Sequence, residues 1–288
     1  MRIGISITDY SWPSGPAGLA AELARTARAA DDAGLGTLWL SDHLLQTVPG
    51  RDPGETMLET YTTLGYLAGQ TERIGLGAMV SPVTFREPAV LIKAVTTLDV
   101  LTGGRAWLGI GAGYQGEEAA ALGLPLPPVA ERFERLEETL QLARQMWRGD
   151  ATPFHGKHYQ LERPIGSPLP LRSPGPPVLI GGTGEKRTLR LVAEYADACN
   201  VFDIPDGGET VRRKLDVLAR HCADVGRPYD AITKTIGTRL NDGETAAEFA
   251  GRCAGFAELG IDDVLVIVDG PFTEAHIRTL GEAAERVS

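Results

Sequence analysis

Cysteine is scarce. Cys199, Cys222 and Cys253 are odd in number and contain no short-spaced pair, which excludes a disulfide framework or a zinc ribbon and leaves them as small core fillers. Positive charge is also in deficit: 28 Lys and Arg face 38 Asp and Glu, for a formal net charge of -10 and a sequence pI near 5.1. Phosphate-backbone binding needs a basic excess, so nucleic acid is not an expected partner. No apolar run approaches the roughly 20 residues that cross a bilayer. Met1, Arg2, Ile3, Gly4 and Ile5 read as the entry to a strand and not as a leader, so a cytoplasmic protein without membrane contact is expected. Nothing resembles a nucleophile elbow, and no lysine stands at a strand tip in Schiff-base context, so covalent catalysis is not expected. Histidine offers no metal site. His155 and His158 lie three apart without further ligands and read as solvated, and His221 and His276 read as helix-surface residues.

What the chain does have is order. Its 288 residues suit one large α/β domain as well as two smaller ones. Strands are expected at Arg2 to Ile7, Leu38 to Leu40, Ile74 to Val80, Ala106 to Ile110, Val178 to Ile180, Ala198 to Phe202, Ile232 to Gly237 and Val264 to Val268. Helical spacing follows each of them. Examples are Pro16 to Ala33, opened by proline and closed by Gly34, and the stripe Val129, Phe133, Leu136, Leu140, Ala143, Trp147. Other helices are read at Leu58 to Leu67, Pro88 to Leu101, Glu185 to Glu194, Glu209 to Val225, Thr245 to Leu259 and Thr273 to Arg286. Eight βα units over residues 1–288 predict a single (β/α)8 TIM barrel, an α/β fold, with a Pro-rich insertion loop at about 149–177 after the fourth unit. A doubly wound sheet is the structural alternative, but its glycine fingerprint belongs in the first βα turn, where this chain has none.

In such a barrel the strand tips carry function. The second strand ends in Ser41, Asp42 and His43, and His43 is the only histidine at a predicted tip, where it can exchange a proton near neutral pH. Alternation along the strand sends Asp42 to the other side, so the two need not face one pocket. Gly77, Ala78, Met79, Val80, Ser81 and Pro82 suggest a bulge or kink at the third tip. Gly109, Gly111 and Gly113, followed by Tyr114, let a flat group approach the fourth tip, or else form a tight turn alone. Gly181, Gly182, Thr183 and Gly184 precede Glu185, Lys186 and Arg187 at a helix start, which suits a phosphate; the alternative is a flexible turn.

These tips, in this order, resemble the luciferase-like monooxygenase superfamily, and more closely its deazaflavin-dependent actinobacterial branch. The residues that carry the resemblance are Leu40 to His43, Ile74 to Pro88 (with Val83, Thr84, Phe85, Arg86 and Glu87), Gly104 to Gly113, Arg132 to Glu138 and Gly181 to Arg187. The resemblance implies coenzyme F420, a deazaflavin, with FMN as the alternative cofactor. It implies a ring resting on Met79, Val80 and Ser81, where the family often has a non-prolyl cis peptide, bordered by Gly113 and Tyr114. The phosphate would meet Gly181, Gly182, Thr183 and Gly184, Asp42 and His43 would line the reaction centre, and the protein would be a homodimer through the helices after the second and third strands. Gly116 stands where relatives have an acid and Ala119 where histidine is common, which leaves His43 as the proton-transfer candidate. The activity implied is hydride transfer between coenzyme F420 and a small organic substrate. An FMN-dependent monooxygenase and a non-catalytic cofactor-binding protein are the rivals.

Overall fold

The computed structural model describes residues 1–48 and 50–287. Pro49, which opens a Pro/Gly-rich loop in the sequence, lies outside the described residues. Short apolar runs become strands β1 Arg2–Ile7, β2 Thr37–Leu40, β3 Gly75–Ala78, β4 Ala106–Gly111, β5 Val178–Ile180, β6 Ala198–Phe202, β7 Thr233–Arg239 and β8 Asp263–Ile267. All pair in parallel in the ring order β3-β2-β1-β8-β7-β6-β5-β4, and a β3–β4 pairing of Leu76 with Ala106 and Gly77 with Trp107 closes it. The expected (β/α)8 barrel is therefore present. Helices α1 Gly15–Asp32, α2 Thr60–Ala68, α3 Pro88–Leu101, α4 Gly116–Leu122, α5 Val129–Trp147, α6 Thr188–Tyr195, α7 Glu209–Val225, α8 Ala246–Glu258 and α9 Glu274–Val287 surround it.

Parallel pairing makes register partners face the same side. Ser6, Trp39, Gly77 and Trp107 are successive partners around one arc, and Gly4, Leu265 and Gly237 around another. Inside the ring, Trp39, Leu179, Ala198 and Leu265 form their own cluster with Met79, Val80 and Trp107 against it. Two indoles fit in so narrow a space only because glycine faces them. A Cβ on Gly77 would lie 2.6 Å from the Trp39 ring, and one on Gly75 3.1 Å from the Trp107 indole nitrogen. The barrel is thus plugged from within, and ligand binding is left to its mouth.

The third tip carries a bulge. Between the register pairs Gly77–Trp107 and Ser81–Ile110 the chain of β3 advances four residues while β4 advances three, the extra residue that defines a bulge. The Met79–Val80 peptide within it is cis. Val80 then turns toward the next two strands, and a Cβ on Gly111 or Gly181 would come within 2.9 Å or 2.7 Å of its Cγ2. A Cβ on Gly109 would lie 1.8 Å from the Ala78 carbonyl oxygen. Gly109, Gly111 and Gly181 therefore answer first to the bulge, and a ligand's need for space is not required to explain them.

The loop expected between α5 and β5 is not structureless. It contains a two-stranded hairpin, Phe154–His155 with Gln160–Leu161, fastened to α5 by the buried Glu138, whose carboxylate accepts the N–H groups of Lys157, His158 and Tyr159. His158 is not solvated as expected: its Nε2 lies 2.6 Å from Glu134 with the side chain mostly covered. His221, expected on a helix surface, is half-buried, and its Nε2 donates to the Glu185 carbonyl at 2.7 Å. Helix α6 begins at Thr188, three residues later than its pattern predicts, and α4 occupies the helix start at Gly116 whose role the departures from the family put in doubt.

Candidate functional site

His43 stands just beyond the C-terminal tip of β2. Its Nδ1 lies 2.7 Å from Oε2 of Glu118, which is buried. Oε1 of the same carboxylate accepts the N–H groups of Leu44 at 2.6 Å and Leu45 at 3.1 Å. Burial pushes the Glu118 carboxyl up, but the hydrogen bonds from His43, Leu44 and Leu45 outweigh it and hold the group below the ordinary glutamate range. An ionised carboxylate only accepts, so the proton of a neutral His43 sits on Nδ1 and the lone pair of Nε2 is left for a ligand. The Tyr114 ring stands edge-on to His43 at 6.0 Å.

Glu118 is the residue that sequence reasoning passed over. The departures at Gly116 and Ala119 discounted this helix start, yet α4 delivers its buried acid to His43. The available signal was local. Gly116 to Leu122 is rich in Glu, Ala and Leu, strong helix formers, and Gly123 ends it in the left-handed region at φ +66°.

Asp42 goes elsewhere. Its fully buried carboxylate receives both arms of Arg86, at 2.6 and 3.1 Å, and Arg86 also binds Glu59 and lies 4.8 Å from the centre of the Tyr61 ring. Tyr61 in turn meets the Ser81 hydroxyl at 2.9 Å. Asp42 and Ser81 thus join the β2 and β3 tips to α2, while His43 alone serves the mouth, as strand alternation anticipates. Met79 and Val80 stay half-exposed on the bulge.

Gly113 adopts φ +76°, with its carbonyl accepting from Arg132, whose Nε is buried without a partner among the described residues. Gly182 adopts φ +96°, and a Cβ on Gly184 would lie 2.9 Å from the Thr188 hydroxyl oxygen. Only the first N–H of this turn is engaged within the protein, Gly181 donating to Ile110; those of Gly182, Thr183 and Gly184 find no protein acceptor among the described residues. A hollow of about 390 Å³ beside them is lined by Phe133, Gly184, Glu185, Lys186, Arg187, Thr188 and Lys214. Lys214 is tied to Glu185 at 2.7 Å, but Lys186 and Arg187 have no carboxylate partner among the described residues, and Arg187 lies 5.6 Å over the Phe133 ring.

The structure superimposes on an F420-dependent secondary alcohol dehydrogenase in complex with an F420-acetone adduct, with a TM-score of 0.83 over 100% of this chain and 99% of that one at 16% identity. It also superimposes on a monooxygenase from Streptomyces bottropensis, with a TM-score of 0.80 over 99% and 98% of the two chains at 17% identity. At those identities the likeness is one of fold. In sequence, the chain is 34% identical over 236 residues to an F420-dependent glucose-6-phosphate dehydrogenase of Amycolatopsis mediterranei, covering 79% of this chain and 68% of that protein. The chain spans about two thirds of the length of such relatives. Residues 1–262 match the luciferase-like monooxygenase family, and the chain belongs to it.

Proposed function

We propose that this protein is an oxidoreductase that transfers hydride between coenzyme F420 and a small organic substrate, with His43 moving the accompanying proton. The observation that carries the reading is the His43–Glu118 contact, which fixes an imidazole with a free Nε2 at the barrel mouth beside the β3 bulge. The names of the sequence relatives support the choice of cofactor.

The residues present fit such a group. Three unengaged N–H groups at Gly182, Thr183 and Gly184, with Lys186 and Arg187 nearby, suit a phosphate by hydrogen bonding and charge. Met79 and Val80 offer an apolar floor, with Gly113 and Tyr114 as the border. When bound, the coenzyme supplies the hydride chemistry at its ring carbon. The protein's own part is to position and to handle protons. In the oxidising direction Nε2 of His43 takes the substrate's hydroxyl proton, and the Glu118 carboxylate steadies the imidazolium that results. Asp42 acts by holding the β2 tip against Arg86.

The reading includes a single barrel domain and a homodimer. Support for the dimer is a groove of about 600 Å³ between α2 and α3, lined by Tyr61, Gly65, Ala89, Val90, Leu98 and Leu101 with Val90 and Leu101 exposed. We place the protein in the cytoplasm, in keeping with three buried free thiols; no helix among the described residues is long and apolar enough to cross a membrane.

Parallel titrations with the deazaflavin and with FMN, followed by fluorescence, test the assignment. Saturable binding of the deazaflavin in the micromolar range, at least about tenfold tighter than FMN, is expected. A preference for FMN would move the protein to the monooxygenase reading, and no response to either would remove both.

A further inference from the structure

We infer that the substrate is a neutral, partly apolar alcohol or carbonyl compound and not a phosphate ester. This rests on the hydride-transfer reading above, and deepens it. The ring order divides the mouth in two: β3, β4 and β5 bring the glycine-rich tips together, and β6, β7, β8 and β1 form the facing arc.

The loops of that arc, residues 203–208, 240–245, 268–273 and 8–14, contain neither Lys nor Arg. They carry Asp203, Asp206, Asp242, Glu244, Asp269 and Asp9. The cations that reach the arc from elsewhere are already engaged. Arg239, the last residue of β7, is ion-paired with Asp269. Arg252 lies 2.8 Å from Glu244 and 3.4 Å from Asp203, and Arg51 is held by Asp9 and Glu55. Arg212 donates to the Gly207 carbonyl at 2.9 Å and lines a cleft between α7 and α8 that it shares with Asp203, Ile204 and Arg252.

A phosphate dianion is held by free guanidinium or ammonium groups or by unengaged N–H groups. The facing arc offers two exposed arginines, Arg239 under the Asp269 carboxylate and Arg212 donating to a backbone carbonyl, within a loop field of negative sign that raises the energy of any anion placed there. Lys186 and Arg187, with no carboxylate partner among the described residues, stand on the other half, beside the turn assigned to the coenzyme's own phosphate. What the arc does present to a ligand is apolar. Phe202 at the tip of β6 is 53% exposed, and as the register partner of Gly237, itself the partner of the interior residue Leu265, it lies on the inner side of the ring. Oxidation of a secondary alcohol then balances with the groups in hand. With the coenzyme bound, the C–H bond would break with both electrons leaving as hydride to it, the O–H proton would pass to Nε2 of His43, and C=O would form.

The test uses protein loaded with the deazaflavin, loading being verified by fluorescence before any substrate is added. Failure to load contradicts the proposed function and is thereby separated from failure of the substrate inference. Loaded protein is titrated calorimetrically and assayed for coenzyme reduction with glucose 6-phosphate and with a panel of neutral secondary alcohols. No saturable response to glucose 6-phosphate up to about 10 mM, with turnover of at least one neutral alcohol, is expected. Saturation by glucose 6-phosphate, or silence from the whole neutral panel, would overturn the inference. Asp269→Asn, which frees Arg239, is expected to tighten phosphate-ester binding about fivefold or more and to change a neutral alcohol's KM less than about twofold. Identical phosphate-ester binding in variant and wild type would contradict the electrostatic argument.

Discussion

The two halves of the barrel mouth are built from the same βα units yet solve opposite problems. On the β3–β4–β5 half, backbone is the working surface. Glycines make room for Val80 and the bulge, three N–H groups find no protein acceptor and Lys186 and Arg187 form no ion pair among the described residues. On the β6–β7–β8–β1 half, side chains dominate and nearly every cation is paired with an acid. His43 belongs to β2, between the two, where a proton carrier can reach a group held on either side. A barrel's chemistry thus depends less on its strands than on which tips expose backbone and which expose charge.

The contrast can be broken at graded points. The largest effect is expected at Asp42→Ala, which leaves Arg86 without its buried partner and is expected to cost about 3 to 5 kcal/mol of stability; chemical denaturation would detect it, and a loss below about 1 kcal/mol would show the pair to be incidental. His43→Ala is expected to lower turnover about 100-fold or more at unchanged coenzyme affinity, read by stopped-flow reduction of the coenzyme beside a binding titration. Gly181→Ala drives a methyl into Val80 and is expected to cost about 1 to 3 kcal/mol together with coenzyme affinity. The same substitution at Gly251, where a Cβ meets nothing within 4 Å, should leave affinity intact. Glu118→Gln is expected to cost about tenfold in turnover, with partial recovery in Glu118→Asp and a shifted pH–rate profile that a purely structural loss would not produce.

Glu118 also sets a pH dependence. Its folded pKa is depressed, so its contribution to stability is complete above the unfolded value of about 4.3 and is lost as pH falls through the lower folded value. Thermal melts of the wild type should therefore decline below about pH 4 more steeply than those of Glu118→Gln. Parallel acid limbs would mean that other carboxylates dominate.

Much of the frame was legible from sequence because each strand is a short apolar run and each turn is marked by glycine or proline. Pro88 to Leu101 and Glu209 to Val225 match their helices end to end. The third strand was legible as interrupted, since Ala78, Met79, Val80, Ser81 and Pro82 fit no regular alternation. The His43–Glu118 contact joins residues 75 apart and depends on how α4 sits over the β2 tip, which no local pattern encodes. The hairpin at Phe154 to Leu161 was hidden for a related reason. Glu138 looks like a surface acid outside the apolar helical stripe, and only tertiary packing shows its carboxylate satisfying three N–H groups of a distant segment. The meaning of Gly111 and Gly181 was also inaccessible, because the side chain they accommodate comes from another strand.

The division of the mouth is tested most directly by titrating the protein with the deazaflavin coenzyme and with its dephosphorylated form. If Gly182, Thr183 and Gly184 hold the phosphate, the dephosphorylated form binds at least about tenfold more weakly, and the difference shrinks as ionic strength rises. Equal affinity for the two forms would contradict the account.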